Sequence, residues 1–290
     1  MRDLHALRRF YAEEIQVTAN LSSRPLIEAL ATVPREQFLP PGPWTIRAEG
    51  DFQKPTRTTS DADPRHVYHN IAVGIDPARM LFNGAPGVIA MAIDALTLKP
   101  GDRVLHIGTG LGYYTALMAR SVGSGGRVVG IEVDAELAAR AGENLAGFPA
   151  VDVRSGDGAG ALGETFDAIL VNAGATHPLP SWIDALGPDG RMVLPITATA
   201  PAMTTIGKGP LVLMTRQSDS ERFAAGFIGF VAIYSALGVR DDAINALVGQ
   251  SLTRAPFAPV RSMRRDAHDP ASSCWIHAPG FCLSLDEPGA

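Results

Sequence analysis

The densest chemistry in this 290-residue chain is a glycine-rich run, VLHIGTGLGYYTA at 104–116, with Gly108, Gly110 and Gly112 at alternate positions. Glycine has no Cβ, so such a backbone turns tightly and approaches a ligand at distances that a side chain would forbid. The run follows an apolar strand pattern, RVLHI at 103–107, and opens a helical one at 113–122. The first N–H groups of that helix have no intrahelical partners and are offered to whatever the loop holds. Twenty residues past Gly112, at the end of the next apolar run, stands Glu132. A carboxylate there accepts hydrogen bonds from both hydroxyls of a ribose. Asp157, in RSGDG at 154–158, follows the next strand and is placed to bond an adenine amino group. Each element alone also reads as a tight or polar turn that binds nothing. Their order at successive strand ends points to an adenosine-containing ligand.

The spacing is G-x-G-x-G, and the third-glycine position of the dinucleotide pattern G-x-G-x-x-G is Tyr113. A nicotinamide cofactor is thereby disfavoured, since that glycine makes room for close helix–strand packing around a pyrophosphate. S-adenosylmethionine, which carries an amino acid end in place of phosphates, suits the loop better. Its spent form would be S-adenosylhomocysteine.

These residues need strands and helices to position them. Leu4, Leu7, Tyr11 and Ile15 recur at helical spacing over 3–18, and a second helix is expected over 23–32 with Ser22 or Ser23 as its cap. Residues 40–66, rich in Pro, Gly, Asp and Thr, read as a loop. Beyond a helix at 86–98, apolar strands at 103–107, 127–131, 150–153, 167–172, 191–195 and 210–215 alternate with helices near 113–122, 134–146 and 179–186. Short apolar strands alternating with helices predict a doubly wound α/β fold, a Rossmann-like parallel sheet covered on both faces. One or two further strands are expected after 225, a helix over 239–253, and then a Pro- and Arg-containing tail. The organisation expected is an N-terminal helical and loop segment (1–85, substrate side), a cofactor domain (86–235), and a C-terminal helix and tail (236–290).

Composition narrows the class. The chain is 46% hydrophobic and 19% charged with a net charge of −5. Without a Lys/Arg cluster, binding to nucleic acid is not expected. No apolar stretch approaches the ~20 residues a membrane span needs, and the first thirty residues lack a signal-peptide core. A cytoplasmic enzyme with no membrane association is the expectation. The two cysteines, Cys274 and Cys282, form no disulfide framework. With Trp275 and His277 they could make a metal site, but a packed aromatic tail is the preferred reading, because one histidine lies between cysteines eight apart.

The residues resemble the protein-L-isoaspartate O-methyltransferase family. VPREQFLP at 33–40 is similar to its Val-Pro-Arg-Glu-x-Phe-x-Pro segment, and LKPGDRVLHIGTGLG at 98–112 to its Leu-x-Pro-Gly-x-x-Val-Leu-Glu-Ile-Gly-Thr-Gly-Ser-Gly run. GDGAGALGETFDAILVN at 156–172 and GPDGRMVLP at 187–195 match later strands in order, so the likeness spans roughly 23–215. It implies that Gly108, Thr109, Gly110 and Gly112 hold the methionine end of S-adenosylmethionine, that Glu132 holds the ribose, and that Asp157 and Gly158 lie at the adenine. Asn172 would line the pocket near the reactive methyl. Three departures stand out. The family's acid before Ile-Gly-Thr-Gly is His106, which either reaches the cofactor's amino group or packs in the strand. The family's Thr-Ile-Ser-Gln-Pro segment is Phe82, Asn83, Gly84, Ala85, Pro86, so the substrate serine has become glycine. The residues after about 225 extend beyond the family's usual end.

Transfer to a carboxylate needs no general base, because an ordinary carboxyl is ionised at neutral pH. The expected acceptor is an aspartyl or isoaspartyl carboxylate of a peptide or protein, or a small carboxylate, with Asn83 in place of the serine as hydrogen-bond partner. A hydroxyl or amine acceptor would want a base, for which His69 and His177 are candidates. A methyltransferase of a specialised natural-product peptide or small molecule, a NAD-dependent oxidoreductase (opposed by Tyr113) and a cofactor-binding protein without catalysis are the alternatives.

Overall fold

The computed structural model describes residues 3–48, 55–217 and 222–288. Helix α1 (Leu4–Thr18) starts where the Asp3 carboxylate accepts the N–H groups of His5 and Ala6. It buries Tyr11 and Ile15 from the apolar stripe, with Leu4 and Leu7 half-buried. Helix α2 (Arg24–Thr32) is capped by the Ser23 hydroxyl and buries Leu26 and Leu30. A side chain of this size taken fully out of water contributes roughly 1.5–3 kcal/mol.

The segment expected to be a loop, 40–66, contains strands β1 (Thr45–Ala48) and β2 (Arg57–Thr58); its residues 49–54 lie outside the described residues. With β3 (Ile71–Asp76) and β4 (Leu81–Asn83) these make an antiparallel sheet of order β2-β1-β3-β4. Strands of two to four residues carry too little alternation to register against the Pro and Gly around them.

The remaining elements follow the alternation expected: α3 (Pro86–Ala95), β5 (Arg103–Ile107), α4 (Tyr113–Val122), β6 (Arg127–Glu132), α5 (Ala135–Asn144), β7 (Val151–Ser155), β8 (Phe166–Val171), α6 (Pro180–Asp184) and β9 (Leu186–Pro195). Then come β10 (Ala198–Ala200), β11 (Met203–Arg216), β12 (Arg222–Tyr234), α7 (Asp242–Arg254), β13 (Ser262–Arg264), β14 (Cys274–Ala278) and β15 (Phe281–Ser284). The tail therefore contains three short strands.

The chain forms two compact units. The first holds Met1–Asp102 and Gly108–Gly156. In it α1 packs on α2 and α2 on α4, β6 pairs in parallel with β7, and Tyr11, Leu26, Leu30 and Tyr113 are fully buried. The second holds Arg103–Ile107 and Asp157–Ala290. There β5, β8 and β9 are parallel neighbours, with Val104 opposite Ala168 and Ile107 opposite Val171. Antiparallel pairing carries the sheet on from β9 through β11, β12, β13 and β15 to β14. The parallel pairs β6–β7, β5–β8 and β8–β9 agree with the Rossmann-like α/β sheet expected, whereas the strand expected at 210–215 pairs antiparallel, because a hairpin and not a helix joins it to its neighbours.

Candidate active site

Within the first unit the glycine loop is held by its own backbone and by one carboxylate. Gly108 donates its N–H to Ile131 O at 2.8 Å, tying the loop to the end of β6. Gly112 donates to Thr109 O at 3.0 Å and has φ of 94°. That left-handed φ favours glycine there, and a Cβ would also press on Leu145 Cδ1 at 2.6 Å. The Asn144 side chain donates to Leu111 O at 2.9 Å. Glu132 Oε2 accepts from Gly110 N–H at 2.8 Å, and Oε1 accepts from Asp134 N–H at 3.1 Å. Burial raises the Glu132 carboxyl above its ordinary range, and these backbone N–H groups act against that shift. Beyond Glu132, Arg79 pairs with Asp76 at 2.6 Å and with Asp134, the cap of α5.

Thr109 Oγ1 is buried and meets no hydrogen-bond partner among the described residues. A buried unsatisfied hydroxyl costs about 1–3 kcal/mol unless something bonds it. A ligand with a polar end in the loop would do so, and the amino acid end of S-adenosylmethionine fits. Tyr113, at the dinucleotide pattern's glycine position, is fully buried with its ring 5.8 Å from Phe38 and its hydroxyl 3.4 Å from that of Tyr11. The position is filled by packing.

The backbone leading into β3 in this unit rests on a residue to which the sequence assigned no role. Arg35, from VPREQFLP, is fully buried, and its guanidinium donates to Val67 O at 2.7 Å, His69 O at 3.1 Å and Ile71 O at 2.8 Å. Its neighbour Glu36 accepts from Arg8 at 2.6 Å and from the Tyr68 hydroxyl. The Arg35–Glu36 pair thus fixes the backbone that leads into β3. The signal was a charged dipeptide in an apolar setting. His69 itself is exposed, and its carbonyl is what Arg35 uses. Asn70 Oδ1 accepts from Gly87 N–H at 2.8 Å, at the start of α3. Asn83 ends β4, buried, with Oδ1 lacking a hydrogen-bond partner among the described residues. Gly84 follows, its carbonyl accepting from the Tyr114 hydroxyl at 2.6 Å.

The second unit carries the other candidates. His106 is fully buried in β5, and burial drops its pKa to about 3, so the ring is neutral at physiological pH. Asn172 donates its N–H to Ile107 O at 2.8 Å at the end of β8. Asp157 is exposed and accepts from Ala159 N–H at 2.9 Å, while the carbonyl of buried Gly158 accepts from the Trp182 indole at 2.7 Å. His177 is half-buried, its Nδ1 2.9 Å from Thr176 Oγ1, and burial lowers its pKa.

A strand, a G-x-G-x-G loop, a helix and a carboxylate closing the next strand define an S-adenosylmethionine-dependent methyltransferase. The chain belongs to the Protein-L-isoaspartate(D-aspartate) O-methyltransferase (PCMT) family, whose model matches residues 57–221. It is similar to the protein-L-isoaspartate O-methyltransferase of Aeropyrum pernix, 32% identical over 79% of this chain and 80% of that protein. Protein-L-isoaspartate O-methyltransferase 1 of Archaeoglobus fulgidus is 31% identical over 82% of this chain and 98% of its own. A solved structure of a protein-L-isoaspartate O-methyltransferase shares the fold, with a TM-score of 0.63 at 22% identity over 85% of this chain and 68% of that one.

Proposed function

We propose that the chain transfers a methyl group to the free carboxylate of an isoaspartyl or aspartyl residue in a peptide or protein. The observation that carries this reading is the buried Asn83 carboxamide, whose oxygen is left without a partner among the described residues. The unpartnered oxygen is an acceptor and suits a peptide N–H of the substrate, which leaves the Nδ2 donor end to bond the substrate carboxylate. It stands one position before the family's substrate serine.

S-adenosylmethionine supplies an electrophilic methyl group on its sulfonium. The protein's task is then to orient the acceptor carboxylate and exclude water from it. No base is needed, because the carboxylate is already ionised. The exposed His69 fits a positional role, with its backbone fixed by Arg35. Thr109 and the loop glycines are the proposed partners of the methionine end, and Glu132 that of the ribose, its two oxygens retaining lone pairs beyond those the backbone uses. Asp157 and Gly158 are proposed at the adenine, and Asn172 beside the methyl group. The neutral His106 can offer a hydrogen bond but no countercharge. By this reading residues 1–85 supply the substrate side, 86–235 the cofactor side, and 236–290 an addition to both.

Gly84 favours a second reading, a specialised peptide or small acid as acceptor. A Cβ there would lie 2.6 Å from Ile89 Cδ1, so an apolar tip occupies the room a serine would take. The deciding experiment uses radiolabelled S-adenosylmethionine with an isoaspartyl peptide and its aspartyl twin. Base-labile label on the isoaspartyl peptide supports the first reading. Absence of label on both, with cofactor binding intact, overturns it in favour of the second.

A further inference from the structure

The strands of the C-terminal segment bring together four side chains that the methyltransferase site does not use. His268, Cys274, His277 and Cys282 each offer a ligand atom, and these four atoms all lie within 4.8 Å of one another. We propose that they form a structural zinc site of the Cys2His2 kind.

The distances fit one tetrahedral ion. Zinc–sulfur bonds of about 2.3 Å and zinc–nitrogen bonds of about 2.0–2.1 Å require ligand–ligand edges of roughly 3.3 Å between nitrogens and roughly 3.6 Å between nitrogen and sulfur. His268 Nε2 is 3.2 Å from His277 Nδ1 and 3.9 Å from Cys274 Sγ. These two lie within a few tenths of an ångström of such edges, and the other separations, none above 4.8 Å, would close by side-chain shifts of up to about an ångström. Two thiolates with two imidazoles suit zinc among the common metals, which takes such a set tetrahedrally.

The surroundings prepare the ligands. His268 Nδ1 lies 2.8 Å from Asp266 O; as the donor there, the ring keeps its proton on Nδ1 and turns the lone pair of Nε2 inward. The N–H of Ala271 donates to Cys274 Sγ at 3.4 Å, a bond that stabilises a thiolate. Asp266 is committed to Arg264, at 2.7 Å from its Nε, and so is held as a neighbour of the site. Pairing of β14 with β15 sets His277 opposite Cys282, and pairing of β13 with β15 sets Arg264 opposite Cys282. Both cysteines of the chain are used. With four protein ligands the coordination is closed, leaving no position for substrate. Its effect is to pin the 265–273 connection onto the β13–β15–β14 sheet, whose Trp275 is already anchored to α7 through Ser251 and to Ala255 O. Binding would release the two thiol protons to solvent.

The test is elemental analysis of the full-length protein, produced with zinc, purified under reducing conditions and dialysed. One zinc per chain is expected, lost from Cys274→Ser and from His268→Ala. Cobalt substituted for zinc should show the absorption of tetrahedral thiolate-bound cobalt. Alkylation should spare both cysteines until a chelator is added. Wild-type protein that retains no zinc, that retains it equally after both substitutions, or that is isolated with a Cys274–Cys282 disulfide overturns the proposal. The wild-type measurements decide even if a variant fails to fold.

Discussion

Gly110 donates its backbone N–H to Glu132 Oε2 at 2.8 Å, so the carboxylate at the end of β6 holds the glycine loop in shape by its own hydrogen bond. One residue therefore serves the loop's geometry and, in our reading, the ribose. Glu132→Gln should keep an acceptor oxygen but lose the charge. A charged hydrogen bond contributes about 1.5–3 kcal/mol, so S-adenosylhomocysteine should bind roughly 10- to 100-fold more weakly by calorimetry. Unchanged affinity would remove Glu132 from the ribose site.

The same carboxyl gives a pH dependence. Burial raises its pKa, so it takes up a proton at a higher pH than an exposed glutamate, whose pKa is about 4.3. Ribose binding wants the ionised form. Affinity for S-adenosylhomocysteine should rise with pH through the raised pKa and then level off. In Glu132→Gln the rise should vanish.

Asn83→Ala should lower kcat/KM for an isoaspartyl peptide by about tenfold or more while cofactor affinity stays as it was, the loss of one hydrogen bond to a charged group. Gly84→Ser requires the Ile89 Cδ1 tip, 2.6 Å from a Cβ there, to swing aside, which should leave the variant folded with at most a modest loss of activity. Ile89→Ala in the same chain should relieve it. Wild-type turnover in Asn83→Ala would take that residue out of the acceptor site.

Arg35→Ala would remove the guanidinium that donates to three backbone carbonyls, of which His69 O keeps its bond from Ile71 N–H. A destabilisation on the order of 3 kcal/mol is expected from leaving buried acceptors unsatisfied, read as a lower urea midpoint. Arg35→Lys should fall between, since one ammonium cannot span Val67 O, His69 O and Ile71 O as the planar fork does. A midpoint unchanged in Arg35→Ala would contradict this role.

His106 is held neutral, with a pKa of about 3 in the folded chain against 6.5 when free. The unfolded chain binds the extra proton between those values, so stability from this group is complete above 6.5 and declines as pH falls toward 3. His106→Asn should show a shallower loss of stability from pH ~6.5 to ~5 than wild type, a window chosen above the ordinary carboxylates. Parallel curves would show that the ring is not desolvated as described.

Much of the chemistry is local in sequence and was legible there. The helix stripe through Tyr11 and Ile15, the Ser23 cap, the turn after β5 and the strand–helix alternation depend on neighbours within a few residues, where periodicity and backbone preference speak directly. The place of Glu132 at the end of β6 was legible because a helix and a strand of ordinary length fix its distance from the loop.

What only tertiary structure decided lies between residues far apart or in elements too short to show a period. Arg35 reaches carbonyls more than thirty residues on, and no pattern in VPREQFLP says which. The four-stranded sheet hides in a Pro- and Gly-rich stretch because pairing partners, not alternation, make those strands. The C-terminal cluster is the sharpest case. Counted along the chain, Cys274, His277 and Cys282 look like a packed tail with one histidine between two cysteines. Strand pairing folds Cys282 back opposite His277, and His268 arrives from the connection before them. Hydrogen bonds between strands set that geometry, and their register is not a local property of the sequence.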